Sequence, residues 1–126
     1  MSVKRTLVVA LTFAAVCTLF ASSAVSAQII LCAIPINCGA GCVCGSTCAD
    51  TMFGDANDNC IKANGDDDTV YGQAGNDSLF GENGNDTLNG DSGDDNLDGG
   101  AGSDRLDGGT GAFDVCVNGE AVTNCP

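Results

Sequence analysis

The chain has 126 residues, with 17 Asp and Glu against 4 Lys and Arg, nine Cys, 18 Gly, no His and no Trp, for a net charge of -13. That length holds one small domain, and its negative field repels nucleic acid and anionic membrane surfaces, which leaves cations as the natural partners. Without His there is no imidazole base, no Ser-His or Cys-His nucleophile pair and no His-ligated zinc, so no enzyme activity is expected.

In chain order, Lys4 and Arg5 precede an apolar run from Thr6 to Phe20, and small residues then lead to Val25-Ser26-Ala27. This is the pattern of a secretory signal peptide over residues 1–27, the apolar run being shorter than the ~20 residues of a membrane span. Cleavage after Ala27 leaves Lys62 and Arg105 against all 17 acids, so the net charge becomes 2 minus 17, or -15. The expected location is secreted and extracellular, or periplasmic in a bacterium, with no membrane contact after cleavage.

Residues 28–44 read as a Cys-rich N-terminal cap. Eight cysteines follow the leader: Cys32, Cys38, Cys42, Cys44, Cys48, Cys60, Cys116 and Cys125. An even number in an oxidising compartment points to disulfides. A thiolate metal cluster over Cys38, Cys42, Cys44 and Cys48 is the alternative, and it would make the protein a metal-sequestering one.

From residue 45 the chain repeats every nine residues. Glycines stand at 72, 81, 90, 99 and 108, and again at 75, 84, 93, 102 and 111. Asp77, Asp86, Asp95 and Asp104 follow the second glycine by two, and Leu79, Leu88, Leu97 and Leu106 follow by four, so one unit reads G-x-x-G-x-D-x-L-x. The register extends upstream through Asp68 with Val70, Asn59 with Ile61, and Asp50 with Met52. Downstream it places Phe113 where the aspartate belongs and Val115 at the apolar place. Turn-forming Gly, Asn and Asp alternate with an x-L-x triplet that can only be a short strand. The middle side chain of each triplet faces one way, so the row Val43, Met52, Ile61, Val70, Leu79, Leu88, Leu97, Leu106, Val115 is expected to form the entire core.

The run Gly99-Gly100-Ala101-Gly102-Ser103-Asp104-Arg105-Leu106-Asp107 resembles the nonapeptide of the RTX, or haemolysin-type, calcium-binding repeat proteins. The resemblance implies an all-β fold, a right-handed parallel β-roll with two nonapeptide units per coil, here with disulfide-braced ends. It covers residues 45–116, and 117–126 read as a C-terminal tail. It also implies that residues eighteen apart stack at the strand spacing of about 4.8 Å. Asp50, Asp68, Asp86 and Asp104 would then line one edge, and Asn59, Asp77 and Asp95 the other. Unit charges about 5 Å apart repel by roughly 3 kcal/mol at an effective dielectric near 20, so cations between coils are needed. Calcium takes six to eight hard oxygens, which aspartates and turn carbonyls supply. The implied metal ligands are therefore Asp50, Asp68, Asp77, Asp86, Asp95 and Asp104, paired 50/68, 68/86, 86/104 and 77/95, with a weaker fifth site at Asn59/Asp77. Without calcium, residues 63 to 111 read as an acidic disordered segment, because one apolar row does not offset chain entropy and charge repulsion.

Stacking of Cys42 on Cys60 and closure of the tail by Cys116 with Cys125 are the expected pairings at the two ends, leaving Cys32, Cys38, Cys44 and Cys48 to pair within the cap. The glycosylation triplets at Asn76 and Asn85 are products of the repeat itself. Thr51, Thr69 and Thr87 would form an outward rank, a pattern also found in ice-binding solenoids, though strand propensity accounts for it. The function expected is calcium binding in a small structural or adhesive module whose protein or surface partner the sequence does not name.

Overall fold

The computed structural model describes residues 17–18, 28–31 and 41–126. Apart from Cys17–Thr18, the segment read as a leader lies outside the described residues, as do Cys32 and Cys38. The described residues contain strands and turns and no helix, and they form a solenoid of about four turns.

Each apolar place in the repeat becomes the centre of a strand. One row of strands is β4 (Thr51–Phe53), β6 (Thr69–Tyr71), β8 (Thr87–Asn89) and β10 (Arg105–Asp107), paired in parallel at a register of eighteen. The facing row is β3 (Val43–Cys44), β5 (Cys60–Gly65), β7 (Ser78–Asn83) and β9 (Asn96–Ala101), also parallel at eighteen. Alternate units therefore fall on opposite sheets, as the two-unit coil requires. In the second sheet the strands run on into the turn, because Asn64 pairs with Glu82 and Glu82 with Gly100. At the amino end β1 (Cys17–Thr18) and β2 (Gln28–Leu31) lie antiparallel, with β2 covering the edge of β4.

The core is the expected single row. Met52, Ile61, Val70, Leu79, Leu88, Leu97 and Leu106 are fully buried, and Val43 packs against them. Ala63, in the place of a first glycine, joins the same cluster. A row one side chain wide leaves each turn bonded chiefly to the turns above and below it, the property that makes solenoid stability a matter of nearest neighbours.

At the carboxyl end the structure corrects the sequence reading. Val115 is 54% exposed, and Cys116 takes the inward place opposite Leu97 in strand β11 (Val115–Val117). The cause is one extra residue in the preceding turn. The amides of Ala112 and Phe113 both donate to Oδ1 of Asp94, at 2.9 and 3.1 Å, and the Phe113 side chain is left 76% exposed. The register then resumes one residue late, with the Asp95 carbonyl accepting from Val115 at 2.8 Å. The segment read as a tail supplies a further strand, β12 (Ala121–Thr123), parallel to β10.

The disulfides Cys42–Cys60 and Cys116–Cys125 stand at the two ends. Cys44 and Cys48 are disulfide-bonded as well. The thiolate cluster is thereby overturned, since a sulfur in a disulfide has no thiolate to offer a metal.

Candidate metal centre

Every carboxylate at the sixth place of a unit turns inward. Asp50, Asp68, Asp77, Asp86, Asp95 and Asp104 are all at most 3% exposed. One oxygen of each except Asp50 is held by the backbone of the preceding coil. The amide of Asp50 donates to Oδ1 of Asp68 at 2.6 Å, Asp68 to Asp86 at 2.8 Å, and Asp86 to Asp104 at 2.8 Å. On the other edge Asn59 donates to Asp77 at 2.7 Å and Asp77 to Asp95 at 2.8 Å. The two aspartate ladders expected along the edges are both formed.

The second oxygens are unusual. Oδ2 of Asp68, Asp77, Asp86, Asp95 and Asp104, and Oδ1 of Asp50, are buried and accept no hydrogen bond. A buried polar atom without a partner costs about 1–3 kcal/mol, and more when charged. Burial is the main cause that pushes the Asp68 carboxyl up to about 7, with Asp86, Asp50 and Asp66 adding repulsion against the lowering effect of the Asp50 amide. Asp77 is pushed up to about 6, again chiefly by burial, with Asp95, Asp58 and Asp55 contributing. Asp86 and Asp95 are raised for the same first reason.

Glycine at the first place of the unit lets the next coil approach. A methyl added at Gly90 would stand 2.6 Å from the Gly108 carbonyl oxygen and would also meet Oδ2 of Asp95. At Gly99 it would stand 2.6 Å from Oδ2 of Asp104. Carboxylate oxygen and next-coil carbonyl thus crowd the same small region, which only a residue without Cβ leaves open. Among the described residues no three acidic or thiol side chains converge on one point. The donor set on offer is a stacked pair of carboxylates completed by backbone carbonyls. Hard oxygens of that kind suit calcium, which accepts carbonyls readily and tolerates irregular geometry.

The amino-terminal positions differ. Oδ2 of Asp50 already accepts from the Ser46 amide and hydroxyl, at 2.6 and 2.9 Å. Oδ1 of Asn59 is taken by the Asp55 amide at 2.7 Å.

The sequence reading missed three sets of residues. Asp114, 3% exposed, occupies the aspartate place that the nine-residue count assigned to Phe113, and its Oδ1 accepts from the Asp95 amide at 2.9 Å. Allowing one inserted residue would have found it. Glu120 accepts from the Asp104 amide at 2.6 Å, a role that nothing in the nonapeptide pattern signals. A second, outer ladder occupies the fifth place of each unit. Asp58 accepts from the Asn76 amide at 2.8 Å and Asn76 from Asp94 at 2.9 Å; opposite them, Asp67 accepts from Asn85 at 2.7 Å and Asn85 from Ser103 at 3.0 Å. Asn between the acids keeps like charges from stacking directly. The two glycosylation triplets begin at ladder members, and Nδ2 of Asn85 also donates to Asp67 at 3.0 Å.

A parallel β-roll with stacked, inward aspartates in Gly-rich turns defines the class: a repeat module of the calcium-binding solenoid type. The family described as RTX calcium-binding nonapeptide repeat (4 copies) matches residues 45–79 and again 80–112, and the chain belongs to that family. No curated protein and no solved structure matches the chain.

Proposed function

We propose that the protein is a secreted rod held together by calcium, with Asp50, Asp68, Asp77, Asp86, Asp95 and Asp104 as the side-chain ligands. The observation that carries this reading is the row of buried carboxylate oxygens that accept no hydrogen bond. Cations placed along the two edges would meet those oxygens, offset the repulsion between stacked carboxylates and take carbonyls from the adjoining turns. The chain's own part is to hold one oxygen of each aspartate, on the preceding coil's amide in five of them and on Ser46 in Asp50, so that the other oxygen is left without a protein partner.

Export is supported by the basic, apolar and small-residue order of residues 1–27 and by the disulfides at both ends, which belong to an oxidising compartment. A structural or adhesive role is supported by the aligned outer rows, in which Thr51, Thr69 and Thr87 stand in register and Phe53 stacks on Tyr71 with ring centroids 5.1 Å apart. Equilibrium dialysis of the oxidised protein against calcium tests the reading. One ion is expected for each of the pairs 50/68, 68/86, 86/104 and 77/95, and a chain that retains none would overturn it.

A further inference from the structure

We propose that the segment following the last matched repeat, residues 113–125, completes two additional calcium sites, one on Asp95 with Asp114 and one on Asp104 with Glu120. The inference rests on the calcium reading above and extends it to residues that the nonapeptide pattern does not contain, since the family match ends at 112.

On one edge, the loop at Phe113 carries Asp114 into the place of an aspartate of the next coil. Asp95 and Asp114 are 1% and 3% exposed, and Oδ2 of each is buried with no hydrogen-bond partner. The amide of Asp95 holds Oδ1 of Asp114 at 2.9 Å, which repeats the arrangement of the regular coils. Carbonyl stacking continues as well, from Gly90 against Gly108 and from Gly108 against Asn124. The pair therefore has the same donors as the repeat sites, supplied across a spacing of nineteen.

On the other edge the final coil is two residues short, with Arg105 paired to Ala121 at a spacing of sixteen. The longer Glu120 side chain makes from this shortened turn the bond that aspartate makes elsewhere, accepting from the Asp104 amide at 2.6 Å. Oδ2 of Asp104 is buried without a partner, and the Asn118 carbonyl crowds Gly99 beside it. The Cys116–Cys125 bond closes the loop that carries Glu120, so a covalent link takes the place of a further coil in holding these oxygens. Two carboxylates with backbone carbonyls form a hard oxygen set, and the nearby sulfurs are unavailable as ligands.

The test is to count bound calcium by native mass spectrometry on the oxidised protein, the Asp114→Asn and Glu120→Gln variants and their combination. Both replacements keep the oxygen that accepts the backbone amide and remove the charge. Each single variant should bind one ion fewer than the unaltered chain, and the double variant two fewer, with circular dichroism unchanged in calcium. A variant that keeps the full count overturns the site assigned to it. Glu120 is exposed, so Glu120→Gln tests its own site independently; should Asp114→Asn fail to fold, Asp95→Asn judges the other, since it should lose two ions, and loss of one alone would overturn the Asp95/Asp114 site. An unaltered chain that binds no calcium would instead overturn the calcium reading itself, so the two failures are distinguishable.

Discussion

The amide of Asp68 donates to Oδ1 of Asp86 across eighteen residues at 2.8 Å, and Oδ2 of Asp86 is left buried with nothing to accept. This relationship sets one oxygen of the carboxylate to hold the coils in register and leaves the other for a cation. Asp86 stands between two stacked partners, Asp68 and Asp104, so it faces two of the proposed sites.

Asp86→Asn separates those roles. The variant keeps the oxygen that accepts from Asp68 and loses the charge, so it should stabilise the calcium-free roll while weakening its response to calcium. The calcium concentration at half-folding should rise at least tenfold, about 1.4 kcal/mol, read by circular dichroism. An unchanged midpoint would remove Asp86 from the ligand set.

Acidity should act in opposite directions with and without calcium. Asp68 and Asp77 titrate near 7 and 6 in the folded chain against an ordinary value of 3.8, so the folded state holds protons that the unfolded chain has released. Calcium-free stability is therefore greatest at low pH and falls as pH rises from about 4 through 7. In calcium the carboxylates must be ionised to bind, and acidification through the same window should release the ions and lower the melting midpoint. The amount of β signal in chelator and the melting midpoint in calcium, each followed from pH 5 to 7.5, would show the two slopes. Parallel slopes would contradict the account.

Deletion of Phe113 should be tolerated. It restores a spacing of eighteen between Asp95 and the aspartate now at 114, and the residue removed is 76% exposed. The melting midpoint in calcium should stay within about 5 °C of the unaltered chain, the equivalent of about 1 kcal/mol. Collapse of the folded signal would show that Phe113 is structural. Leu88→Ala is the contrast, since emptying a fully buried leucine place costs about 2–5 kcal/mol.

The sequence disclosed the middle of this molecule and obscured its ends. From Asp68 to Leu106 the nine-residue period fixes which side chain points inward, because a strand of three alternates faces and a turn of six returns the chain to the opposite sheet. The same period predicted the Cys42–Cys60 bond, whose partners stand eighteen apart. It failed at Phe113, where one inserted residue shifts the side chains of the following strand by one place and turns Val115 out and Cys116 in. It also failed at Glu120, whose place in the ladder depends on a shortened coil and on closure by Cys116–Cys125. The outer ladder of Asp58, Asn76 and Asp94 was hidden for another reason. Its register bonds run from side chain to backbone, and Asp and Asn share them without a single conserved letter to mark the row.

The central claim is that calcium supplies what a one-row core lacks. Far-ultraviolet circular dichroism of the oxidised protein, titrated with calcium and separately with magnesium, tests it most directly. The account predicts a cooperative gain of β signal with calcium and none with magnesium, whose small octahedral shell suits carbonyl-rich turns poorly. A β signal already complete in chelator, and unmoved by calcium, would contradict it.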